Sequence, residues 1–140
     1  MKHQVPARDL AYAIMFFHQG FFHKAYDIVF QFDESSLHYK LRTRLLLVRC
    51  LYEIQLEDKS YFSILVDQTR TFELFIKREY GLHEEVKLSY LNFSAGLRAI
   101  IHRKKNTPSE ETNNILLQKI ESFQPIIAKD WLIDKIHQLK

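Results

Sequence analysis

Residues 7–32, ARDLAYAIMFFHQGFFHKAYDIVFQF, carry the pattern from which the fold is read. From Asp9 to Gln19, Leu10, Ala13, Ile14, Phe16 and Phe17 recur at helical intervals. Gly20 follows, a residue that readily takes the left-handed backbone with which helices commonly stop. Beyond it, Phe22, Ala25, Tyr26, Val29 and Phe30 repeat at three and four. Two helices joined by so short a turn fold back on each other as an antiparallel hairpin.

Outward from this hairpin the helical period continues. Asp33, Ser35 and Ser36 offer capping oxygens to a third helix, Leu37 to Gln55. Its stripe of Leu37, Leu41, Leu45, Val48 and Tyr52 is widened by Leu46, Leu47, Cys50, Leu51 and Ile54. From Leu45 to Ile54 only Arg49 and Glu53 are charged, so this helix is expected to be covered on most sides and to centre the core. Asp58 is placed to cap a fourth helix, about Lys59 to Glu79, ended by Gly81. Tyr61, Leu65, Phe72, Phe75 and Ile76 would face inward there, and Asp67, Gln68, Arg70, Glu73 and Lys77 would face water. The fifth helix, Glu84 to Arg103, steps through Val86, Tyr90, Phe93, Leu97, Ile100 and Ile101. It ends in Arg103, Lys104 and Lys105, where the macrodipole favours cations.

Thr107-Pro108-Ser109-Glu110 then reads as a helix start, with Thr capping, Pro at the first position and Glu reaching back. A sixth helix runs through Leu116, Ile120 and Phe123 until Pro125 interrupts it. A short last helix through Trp131, Leu132, Lys135 and Ile136 follows. No Asn-Gly or Asp-Gly hairpin and no sustained alternation suggests a strand. The expected fold class is all-α, a right-handed stack of about three antiparallel hairpins with a short closing helix.

Composition narrows the function classes. The chain has 140 residues, enough for one domain with a real core, and 20 Lys and Arg against 17 Asp and Glu give a net charge of +3. That is short of the basic stripe of a nucleic-acid binder, and the aromatics fall at core spacing rather than displayed for stacking on bases, so nucleic acid is not an expected partner. Three Gly and three Pro are too few for a Rossmann-type fold or a β-sandwich. A single Cys excludes an internal disulfide framework and a Cys₂ zinc site. No uncharged apolar run is long enough to span a membrane, and the first residues do not form a signal peptide. The expectation is a cytoplasmic protein.

The first hairpin resembles a tetratricopeptide repeat. Ala13, Phe16, Gly20, Phe22, Ala25, Val29 and Phe32 match that family's small, aromatic, small, aromatic, small and bulky positions. Small residues sit where the helices cross closely, and aromatics fill the space beside the crossing. The second hairpin departs from the pattern: Tyr52 stands 36 residues after Phe16, Leu56 replaces the turn glycine, and Arg49 and Tyr61 replace the alanines. A third pair keeps only Tyr90 and Phe93. Leu51-Tyr52-Glu53-Ile54, Tyr90-Leu91-Asn92-Phe93 and Ala128-Lys129-Asp130-Trp131-Leu132 together look like the carboxy-terminal part of tetratricopeptide-like bacterial proteins. The resemblance implies an α-α superhelix, a single helical-repeat domain over residues 1–140 that holds a partner and does no catalysis. The last helix, with Lys129, Asp130, Asp134, Lys135 and Gln138, suits a polar end cap. The dense apolar amino end suggests either the tail of a longer chain or a meeting of subunits.

The repeat phase places Leu10, Ile14, Phe17 and His18, then Leu46, Cys50 and Glu53, on the inner face. This expected apolar groove would take a peptide or helix from another protein, or from the rest of the same chain. Two alternatives stand beside it. The aromatic amino-terminal face could form a homodimer, or Lys40 and Arg44, four apart on one helix face, could hold an anionic ligand. No enzyme constellation, metal site or cofactor is expected. The seven histidines are scattered, with no i, i+4 pair and no HExxH. Cys50 reads as core, and Glu84-Glu85 and Glu110-Glu111 read as helix-start carboxylates.

Overall fold

The computed structural model describes residues 7–31, 37–106 and 109–139. These residues form α1 (Ala7–His18), α2 (Phe22–Phe30), α3 (Leu37–Glu57), a short 3₁₀ turn at Lys59–Tyr61, α4 (Phe62–Arg78), α5 (Glu84–Lys105), α6 (Glu110–Ser122) and α7 (Lys129–His137). No strand occurs among them, so the all-α class is established. The chain divides after Gln68, inside α4, into two compact units.

In the first unit, Gly20 ends α1 at φ +84°, as its position in the sequence requires. The Gly20 amide donates to the Phe17 carbonyl (3.1 Å) and the Phe21 amide to the Phe16 carbonyl (2.9 Å). This pair of bonds is a Schellman motif, and the contact that usually accompanies it is present, the Phe16 and Phe21 rings lying edge-on at 6.4 Å. The turn returns α2 along α1, and Ala13 and Ala25 are fully buried in the hairpin. Both helices pack on α3. That helix supplies the centre, with Leu41, Leu45, Leu46, Val48, Cys50, Leu51, Tyr52 and Ile54 all buried. Gln55 is buried as well and satisfies its amide by donating to the Tyr52 carbonyl at 2.9 Å. Asp58 caps as expected, accepting from the Ser60 amide (3.0 Å) and hydroxyl (2.6 Å). These bonds, the hydroxyl's first, hold its carboxyl below the ordinary value. The proposed caps Asp33, Ser35 and Ser36, and the repeat position Phe32, lie outside the described residues.

In the second unit, the fully buried Phe93 of α5 joins α4 and α7. Its ring meets Phe72 edge-on at 6.4 Å and Trp131 tilted at 6.1 Å. At Gly96, one helical turn on, α5 approaches α6 and α7 closely. A Cβ there would lie 3.2 Å from Leu132 Cδ1 and 3.4 Å from Ile120 Cδ1. Leu97, Ile100 and Ile101 are buried as the periodicity predicts, whereas Val86, the first position of that stripe, is exposed. The loop before α7 is tied to α5 by Asn92 Nδ2 donating to the Pro125 carbonyl at 2.8 Å.

Four local expectations need correction. Helix α4 stops at Arg78, one residue short of the expected Glu79, and Lys87 Nζ reaches over from α5 to donate to the Lys77 and Glu79 carbonyls at 3.1 and 3.0 Å. A cation there satisfies carbonyls that would otherwise be left open at a helix end. Glu73, read as a water-facing residue of α4, is only 14 % exposed in its side chain. It accepts from the buried Ser94 hydroxyl (3.1 Å), Arg98 (3.2 Å) and Lys77 (3.3 Å). Helix α6 starts two residues later than the Thr-Pro pair suggests. Ser109 is the cap, exchanging bonds with Thr112 in a capping box, and Thr107 and Pro108 lie outside the described residues. On α7, Lys135 does not belong to a polar outer face. Its stem is buried and its amine lies 5.7 Å from the Trp131 ring centre.

Candidate interaction surface

The groove expected from the sequence would leave Leu10, Ile14, Phe17, His18, Leu46 and Glu53 open to a partner. The structure fills that face from within. Leu10, Phe17, Leu46 and Glu53 are each 8 % exposed or less. Ile14 is half-buried, and of the six only His18 stands in water. The reason is the fold-back itself, which lays α2 and α3 over the side of α1 that the repeat phase marks as inner. Phe22 packs edge-on to Phe17 at 5.3 Å, and the Arg49 guanidinium of α3 sits 4.5 Å from the same ring. Burial lowers the Arg49 pKa from its ordinary value, opposed by the neighbouring Cys50 and Glu53. Phe17 is therefore held in a cation–π contact inside the unit rather than offered to a ligand. Lys40 and Arg44 are half-buried, and each is already engaged in an interaction within the fold.

The outer side of the same hairpin is different. Tyr12, Met15, Phe21 and Phe30 are between 41 % and 66 % exposed. Tyr12, Met15 and Phe16 lie three and four apart, on one face of α1. Phe21 extends this face across the turn, and Lys24 of α2 places its amine 5.6 Å from the Phe16 ring centre and 5.1 Å from that of Phe21. A second aromatic group flanks it on α2, where Tyr26 tilts against Phe30 at 5.5 Å and meets Tyr61 edge-on at 6.5 Å. His23 also meets Tyr61 edge-on, at 5.7 Å. Isolated exposed apolar residues are ordinary, but several aromatic and apolar side chains exposed on one hairpin are a feature of contact surfaces. The crowding of aromatics in residues 12–30 is visible in the sequence. Which of them point outward is not, because the apolar positions of α1 cover most of its circumference.

Cys50 carries the chain's one thiol, and it is wholly enclosed in α3. Burial pushes its pKa up to about 12 from an ordinary 9.0, so the sulfur stays protonated at neutral pH, the opposite of an activated nucleophile. A pKa raised by folding favours the neutral thiol in the native state. Its contribution to stability is thus full below pH 9 and declines as pH rises from there towards 12. The loss can reach about 1.4 kcal/mol per pH unit in that window. Urea denaturation at pH 8 and pH 10.5 should show a fall in stability that Cys50→Ala reduces. An equal fall in both proteins would assign the alkaline sensitivity elsewhere, for example to the tyrosines.

Among the described residues, no three of His, Cys, Asp and Glu approach closely enough to hold a metal ion. No described helix is long and apolar enough to cross a membrane. No family model, curated protein or solved structure matches this chain. The case for a function therefore rests on the chain's own surfaces.

Proposed function

We propose that this chain is a non-catalytic, tetratricopeptide-like helical module for protein–protein contact, working through the outward aromatic face of α1–α2 against the same face of a second copy. One observation carries the reading. Four large apolar side chains stand in water on a hairpin whose other side is already packed. The resemblance to a tetratricopeptide hairpin is supported by the fully buried Ala13 and Ala25 and by the left-handed Gly20 between them. A two-fold contact needs only one self-complementary patch, and a surface combining aromatic rings with a cation meets that need. The buried thiol of Cys50 and the Ser94 hydroxyl committed to Glu73 support a role without chemistry.

Sedimentation across about two decades of concentration tests the reading, with a dimer expected for the wild type. Tyr12→Glu with Met15→Glu places two carboxylates in the face and leaves Phe21 to close the Schellman turn. The double variant should keep its helical circular dichroism and weaken association about 100-fold or more, since each buried anchor contributes on the order of 1–2 kcal/mol. A wild type that remains monomeric throughout, or a variant that associates equally well, would overturn the proposal.

A further inference from the structure

A second surface, independent of the aromatic face, lies in the second unit between α5 and α6. On α5, Arg98, His102 and Arg103 share a face with two alanines, Ala95 and Ala99, whose small side chains leave room beside them. Lys119 of α6 stands opposite, and Ile115, more than half exposed, supplies apolar surface. Together they line a groove of about 460 Å³, within the range of pockets that hold small organic ligands.

The charge in this groove has one sign. Among the described residues, no carboxylate lines it. Arg98 gives one nitrogen to Glu73 at 3.2 Å, and His102 meets the Asn106 amide at 3.2 Å. The Arg103 and Lys119 side chains make no hydrogen bond or ion pair among the described residues. Cations from two helices facing one cavity repel each other until an anion enters, and guanidinium groups hold carboxylate or phosphate oxygens in paired bonds. We propose that this groove binds an organic oxyanion, a carboxylate or phosphate carried on a short apolar body, with Arg103, Lys119 and Arg98 around the anion and Ile115 and the alanines along the body.

Calorimetric titration of the full chain with hexanoate, hexyl phosphate and inorganic phosphate tests this. One saturable site is expected for hexanoate or hexyl phosphate, and whichever of the two binds more tightly identifies the headgroup. Inorganic phosphate, which lacks the body, should bind at least about tenfold more weakly. Arg103→Glu with Lys119→Glu should weaken binding by about tenfold or more with helicity unchanged, and the milder Lys119→Gln should weaken it measurably. No saturable binding of either amphiphile, equal affinity for inorganic phosphate, or equal affinity in the double-glutamate variant would overturn the assignment. None of these outcomes bears on the oligomeric state, so the two proposals stand or fall separately.

Discussion

Phe93→Ala is expected to destabilise the chain by about 3–5 kcal/mol, the cost of emptying a fully buried aromatic site. The ring is the meeting point of α4, α5 and α7, touching Phe72 on one side and Trp131 on the other. Its neighbours have little freedom to close the cavity. Gly96 already brings α5 within 3.2 Å, measured from the position of its missing Cβ, of Leu132 on α7. Asn92 pins the loop before that helix through Pro125. The residual void should therefore stay large, which places the cost toward the upper end of the range. Urea denaturation followed by circular dichroism measures it. Since a domain's net stability is about 5–15 kcal/mol, such a loss takes a large part of the total. A change below about 1 kcal/mol would show that this ring does not tie the three helices together.

Phe17→Ala should be nearly as severe in the first unit, about 3 kcal/mol or more. Three losses combine: the buried ring itself, its edge contact with Phe22 and the cation–π contact with Arg49. The last is worth about 0.5–2 kcal/mol, rising with desolvation, and Arg49 is half-buried. Measured by the same denaturation, Phe17→Ala should fall far below Tyr12→Ala, whose side chain is half exposed. Equal effects at the two positions would reverse the assignment of inner and outer faces. The result bears on any binding experiment: a charge at position 17 would disturb the hairpin's core, so lost binding in that variant would report unfolding. Tyr12 and Met15 are the positions where a charge tests contact.

The helices were legible because their ends are marked by particular chemistry. Gly20 offers the left-handed backbone, Asp58 a capping carboxylate and Pro125 a break, and each acts where its sequence position indicates. The inner face was harder. Periodicity assigns Leu10, Phe17 and Leu46 to an apolar stripe but does not say whether the chain's own helices or another molecule will cover it. Here α2 and α3 cover it, and Arg49, a charged residue in the middle of an apolar helix, supplies part of the lid. The capping box at Ser109 shows another limit, since Thr112, whose hydroxyl closes it, is not the Glu or Gln that the start rule looks for three residues after a cap. Gly96 did leave a signal, because a lone glycine inside a strong helical pattern marks a close approach. The α5–α6 groove did not. The cations from His102 to Lys105 read as a helix-end cluster, and nothing in the sequence pairs them with Lys119.

Trp131 gives the chain a built-in optical reporter. It is the sole tryptophan, lying against Phe93 and under the Lys135 amine. Its emission should track the surroundings of α5 and α7, while loosening confined to α1–α3 would leave the signal largely unchanged. Fluorescence recorded beside circular dichroism would thus set one half of the polypeptide against the helices of the whole, and any gap between the two curves would show the halves letting go at different denaturant concentrations.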